Sequence, residues 1–234
     1  MNKNNLSIIF ALLMLLSFKV IASQGTIVYF KGEVLLKGKD NSFKRVNKGQ
    51  VVALGDMIRT KQNSIAVIAL KSGSKVKLNA NSAITIKAEL TKKKPEKLFL
   101  NSGSVFISVL KRVVNKDTKS KVKLLLKTRS ASMGVRGTQF FASFGKQKDQ
   151  SKRKDLWMCV NEGLVLIKTN KSKKAILVKA GEGVHVKEGT DVSAPRPLEW
   201  TKKLNWELDS TKGDLTNKVS IEQAYTDLLD KDYD

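Results

Sequence analysis

The chain is poor in the residues that most enzymes and metal sites need. Among 234 residues it has one cysteine, one histidine and three prolines. Cys159 alone cannot close an internal disulfide or build a cysteine-rich metal site. His185 alone excludes a multi-histidine metal cluster. A Cys–His nucleophile is not supported either. A period-2 strand points His185 away from Val184 and Val186, and Cys159 has apolar flanks in Met158 and Val160. No paired carboxylates stand out for acid–base chemistry. Neither a GxGxxG nor a GxxxxGK[ST] phosphate loop occurs. The expectation is no enzyme, no cofactor and no metal. Aromatics are only 6% of the residues and do not interleave with the basic groups, so no base-stacking platform and no specific nucleic acid are expected.

Acidic residues are also scarce, 21 against 44 Lys and Arg, for a formal charge of +23. Lys92, Lys93 and Lys94 form one basic group, and Lys152, Arg153 and Lys154 fall in another. Both sit beside predicted turns. They are candidates for attracting polyanions, through an attraction that weakens as salt rises. Lysine far outnumbers arginine, which favours generic attraction over bidentate phosphate recognition.

Met1–Ala22 reads as a signal peptide: Lys3, then the apolar run Leu6–Phe18, then Val20-Ile21-Ala22 before a cut at Ser23. That run is too short to span a bilayer. Export is expected, to the periplasm first, with the cell surface or the medium as alternatives. Residues 23–192 follow as one all-β domain of many short strands, a roll or solenoid-like β sandwich. Runs such as Thr26–Phe30, Ile65–Leu70 and Ala83–Lys87 are four to eight residues long, rich in Val, Ile and Leu, and bounded by Gly, Asn or Ser. A turn is expected at Asn101-Ser102-Gly103. Residues 193–234 read as a linker and an acidic, partly helical tail, with helical segments over Leu198–Leu208 and Ser220–Leu229.

Three pieces occur in a recognisable order: Gly49–Thr60, which holds Gly55 and Asp56; Leu98–Val105; and Thr128–Phe140. The last contains Gly134-Val135-Arg136-Gly137-Thr138. Together with Val160–Val165 and Lys179–Gly183 they resemble the FecR domain, a periplasmic all-β module, over roughly Gly25 to Val186. The resemblance implies that fold, an envelope location and a bias toward binding protein or glycan. The best-known FecR-like regulators carry a cytoplasmic anti-sigma segment ahead of a membrane helix. Here a signal peptide is read in that place, so no sigma factor is expected as a direct partner. The expected partner is an envelope protein or an anionic polymer such as wall glycan or lipopolysaccharide. From the residues themselves, Gly134 and Gly137 permit a sharp turn or a close approach. Arg136 carries a five-donor fork, for which Asp56 is a candidate clamp partner and a ligand the alternative.

Overall fold

The computed structural model describes residues 23–91, 94–110, 122–145, 155–172, 174–187 and 191–217. The expected signal peptide and Ser220–Leu229 lie outside the described residues. So do Lys92, Lys93, Lys152, Arg153 and Lys154.

The chain folds as strands throughout, as the short branched-aliphatic runs predict. They are β1 (Ser23–Lys31), β2 (Val34–Lys37), β3 (Phe43–Arg45), β4 (Val51–Ala53), β5 (Met57–Thr60), β6 (Ile65–Leu70), β7 (Lys75–Leu78), β8 (Ala83–Ala88) and β9 (Glu96–Ser108). Then come β10 (Leu124–Lys127), β11 (Ala131–Val135), β12 (Gln139–Gly145), β13 (Asp155–Glu162), β14 (Leu164–Thr169), β15 (Ile176–Lys179), β16 (Glu182–Val186) and β17 (Arg196–Pro197). Two layers result. Sheet A runs β4-β1-β6-β7-β9-β12-β13-β16-β17, antiparallel at every step. Sheet B runs β3-β2-β5-β8-β9-β10-β11-β14-β15, antiparallel except between β9 and β10.

β9 belongs to both sheets. Glu96–Ser102 pairs in sheet B, and Gly103–Ser108 in sheet A. The turn expected at Asn101-Ser102-Gly103 is therefore a bend inside one strand. Gly103 absorbs it at φ +81°, a left-handed conformation that costs a side-chain-bearing residue dearly. It also leaves no room for a Cβ, which would stand 2.5 Å from the Ser82 Cα.

Three sheet-to-sheet crossings use the same device: a glycine against a hydroxyl of a neighbouring crossing. Gly32 faces Ser64, Gly103 faces Ser82 and Gly163 faces Thr138. The hydroxyls satisfy backbone groups that the crossing takes out of the ladders. Ser82 Oγ donates to the Ser104 carbonyl and accepts the Ser104 N–H. Ser64 Oγ accepts the Glu33 N–H. Thr138 Oγ1 donates to the Leu164 carbonyl at 2.9 Å.

Alternating side chains from the facing sheets meet in one core that includes Ile68, Val76, Leu98, Met133, Phe140 and Met158. A second apolar cluster lies on the outer face of sheet A. Phe106, Phe141, Trp157 and Cys159 stand on β9, β12 and β13, and Leu198, Leu204 and Leu208 cover them. The expected helix over Leu198–Leu208 is not formed. Glu199–Lys203 makes one 3-10 turn, and the chain then runs as an irregular strap to Asn217. The physical reason is where its carbonyls go. Those of Asn205, Glu207 and Leu215 accept hydrogen bonds from Lys77 rather than from an intrahelical N–H. Leu198 fits because residue 183 is glycine: a Cβ there would lie 2.4 Å from Leu198 Cδ1. Each fully buried strap leucine contributes roughly 1.5–3 kcal/mol.

Candidate interaction surface

The Gly134–Thr138 segment forms the end of β11 and the crossing to β12. Val135 points into the core and is buried. Gly134 lies on the outer face of sheet B beneath Val122, whose methyls would stand 3.3–3.4 Å from a Cβ. Gly137 holds φ +59°, and Thr138 is the corner hydroxyl described above. Most of this motif is thus explained by folding. Arg136 is half-buried at the crossing.

Gly55 and Asp56 form the turn between β4 and β5. Gly55 has φ +95°. Asp56 Oδ2 accepts the Ala53 N–H at 2.8 Å, which closes the turn. The Arg136–Asp56 clamp is not present. β8, β9 and β10 stand between β5 and β11 in sheet B. At about 4.8 Å per strand this separates the two positions by roughly 19 Å.

His185 stacks on Trp157 with ring centroids 3.8 Å apart, and its Nε2 lies 3.2 Å from Asp155 Oδ2. Burial lowers its pKa, and Asp155 pulls the other way. Cys159 is buried under the strap, and burial pushes its thiol well above the usual range. It pairs across the ladder with Gly183, whereas Trp157 takes the place opposite His185. His185 therefore stands two ladder positions away from Cys159. Among the described residues no group of three metal-ligating side chains occurs.

The two outer faces of the sandwich differ sharply. Sheet A is covered by the strap. Lys77 on that face is fully buried, with its ammonium 4.2 Å from the Phe106 ring centroid. It donates to the Asn205 and Glu207 carbonyls at 2.6 and 2.8 Å. Desolvation lowers its pKa to about 8 against the pull of Glu207 and Asp214.

Among the described residues no segment covers the outer face of sheet B, and the outward charges on its strands have one sign. Lys37, Arg45 and Arg59 stand on β2, β3 and β5, with the last 4.3 Å from the Phe43 ring centroid. Lys87, Lys97 and Lys127 continue across β8, β9 and β10. Lys168 and Lys179 complete the face on β14 and β15. Among the described residues no Asp or Glu takes an outward position on these strands. Of the polyanion-binding candidates named from sequence, Lys94 is exposed, and Lys92, Lys93, Lys152, Arg153 and Lys154 lie outside the described residues. Sequence reasoning missed the face because its cations come singly from separate strands. A period-2 count of charge on each strand is the signal that finds them.

Residues 56–154 match the family model described as FecR protein. The matched segment runs from Asp56 through β12 and includes Gly134–Thr138, so the sequence resemblance is borne out there. The C-terminal strap falls outside the FecR match. Two crystal structures of a protein described as a candidate anti-sigma factor from Parabacteroides distasonis ATCC 8503 are similar to this chain. Each is 18% identical, with a TM-score of 0.49, over 63% of this chain. The chain spans 62% and 63% of their length. No curated protein matches.

Proposed function

We propose that the chain is an exported, non-catalytic FecR-like binding module of the cell envelope, with a signalling or structural role, and that it contacts an envelope protein or glycan through the outer face of sheet B. The observation that carries this reading is the asymmetry of the sandwich. The chain's own strap covers the centre of one face, and among the described residues the other is uncovered, with only cationic charge outward on its strands. The FecR match and the signal-peptide features of Met1–Ala22 support the setting. Against catalysis stand an unactivated Cys159 and a single histidine held between Trp157 and Asp155.

A second reading is favoured by the uniform sign of the face. In it the protein is an electrostatic binder of anionic envelope polymers, by counterion release. Immobilised protein exposed to envelope extract at low and high salt separates the two. A defined protein or glycan held at high salt supports the first. Wall polymer or lipopolysaccharide released by salt supports the second. Retention of nothing contradicts both.

A further inference from the structure

The open face is not uniformly polar. At its β14–β15 edge, Leu164, Leu166 and Leu177 are 48%, 45% and 47% exposed. They are adjacent by register: Leu166 faces Leu177 across the ladder, and Leu164 faces Lys179. Leu166 also lies beside Gly134, over which the half-exposed Val122 rests. Three leucines pointing outward from neighbouring strand positions form a contiguous apolar patch, not the scattered exposure normal for a surface.

Lys168 and Lys179 are exposed at its border. Their long stems can follow the leucines while the ammonium groups reach outward past them. Of the nearby carboxylates, Glu182 is turned back to accept the Lys179 N–H at 2.9 Å, and Asp191 accepts from Thr169 Oγ1 beside Lys168.

We infer that this edge of sheet B docks on an anionic lipid bilayer, with Leu164, Leu166 and Leu177 entering the headgroup layer and Lys168 and Lys179 meeting lipid phosphates. The inference rests on the proposal that sheet B is the docking face, and it names where in the envelope that face sits. Charge complementarity selects the occupant. A second copy of this chain would bring cations onto cations. A soluble sugar polymer would satisfy the lysines and leave the leucines in water. A bilayer carrying anionic lipid supplies phosphate and an apolar layer together. Lysine suits this surface because headgroups demand no fixed fork geometry.

The test is co-sedimentation of the purified protein with vesicles of phosphatidylcholine containing about three-tenths phosphatidylglycerol, against phosphatidylcholine alone. Binding is expected only to the anionic vesicles. Leu164→Gln/Leu166→Gln/Leu177→Gln is expected to weaken it at least tenfold. Lys203→Glu/Lys212→Glu, an equal charge change on the strap, is expected to weaken it less than Lys168→Glu/Lys179→Glu. A Leu166→Trp variant gives a second readout that does not depend on the triple substitution folding. Its added emission is expected to shift to the blue on anionic vesicles. Unchanged binding by the leucine variant, or an unshifted Leu166→Trp emission, overturns the inference. Absent vesicle binding with envelope capture still lost on reversing sheet B charges overturns the lipid assignment alone and leaves the docking face standing. Capture insensitive to those reversals overturns both.

Discussion

Lys77 holds the strap to the sheet. Its ammonium sits over the Phe106 ring and donates to carbonyls contributed by Asn205 and Glu207 from the far end of the chain. This side chain ties β7 and β9 to the strap, together with the hydrogen bonds that Gln139 Nε2 donates to the Trp206 carbonyl and Asn217 Nδ2 donates to Asn79 Oδ1.

Lys77→Met keeps the stem and removes the donors, leaving strap carbonyls without partners. Each such loss costs about 1–3 kcal/mol when buried. The expected result is faster amide hydrogen exchange across residues 198–217 and faster labelling of Cys159 by a thiol reagent. Lys75→Met is the comparison, because Lys75 only meets Asp209 at 3.6 Å near the surface. It is expected to change stability by less than about 1 kcal/mol.

The same lysine gives a pH signature. Its pKa is lowered from 10.5 to about 8 by burial. Below pH 8 both folded and unfolded chains carry the proton, and the cost of burying the charge is fully present. Between about pH 8 and 10.5 the folded chain releases it first, so stability rises with pH across that window. Thermal midpoints of the wild type measured over this range are expected to rise relative to those of Lys77→Met.

Glu96 has the opposite slope. Burial raises its pKa from 4.5 to about 7, while the hydrogen bond from Ser72 at 2.7 Å works against the rise. The folded chain therefore holds a proton that the unfolded chain has lost between pH 4.5 and 7, and stability falls as pH rises through that interval. Glu96→Gln removes the dependence. Its advantage over the wild type is expected to grow from pH 4.5 to 7 and then level off, as read by thermal or denaturant unfolding.

Gly103 and Gly49 share a left-handed backbone, at φ +81° and +80°, and differ in their surroundings. A Cβ at Gly49 meets nothing within 4 Å, whereas one at Gly103 meets Ser82 Oγ at 2.4 Å. Gly49→Ala is expected to cost about 1 kcal/mol from backbone strain alone. Gly103→Ala is expected to cost about 3 kcal/mol or more, because strain and collision add at the strand shared by both sheets. Denaturant unfolding of the two variants side by side checks the difference.

How much of this was legible in the sequence follows from range. The strands could be read because each is a short branched-aliphatic run closed by local turn residues. β11 was hidden, because Ser132 and Gly134 interrupt its apolar pattern, and its strand character comes from β10 and β14 on either side. Asn101–Gly103 looked like a hairpin turn because the turn residues are real. Only the pairings of β9 with both sheets turn them into a bend. Lys75-Val76-Lys77-Leu78 alternates like a strand, which it is, but nothing local says that Lys77 meets carbonyls of residues 205 and 207. The Gly134–Thr138 motif was visible as a motif. Its role at a crossing needed β14, where Gly163 and Leu164 meet Thr138.

On the proposal above, sheet B, not the strap side, is the docking face. The most direct measurement is capture from envelope extract by wild type and by Lys97→Glu/Lys127→Glu/Lys168→Glu, beside a matched charge reversal at Lys202, Lys203 and Lys212 on the strap. Reversal on sheet B is expected to remove the captured component, while reversal on the strap leaves most of it. Equal loss from both would reduce the binding to net charge. Loss from the strap variant alone would place the docking surface on sheet A and contradict the account.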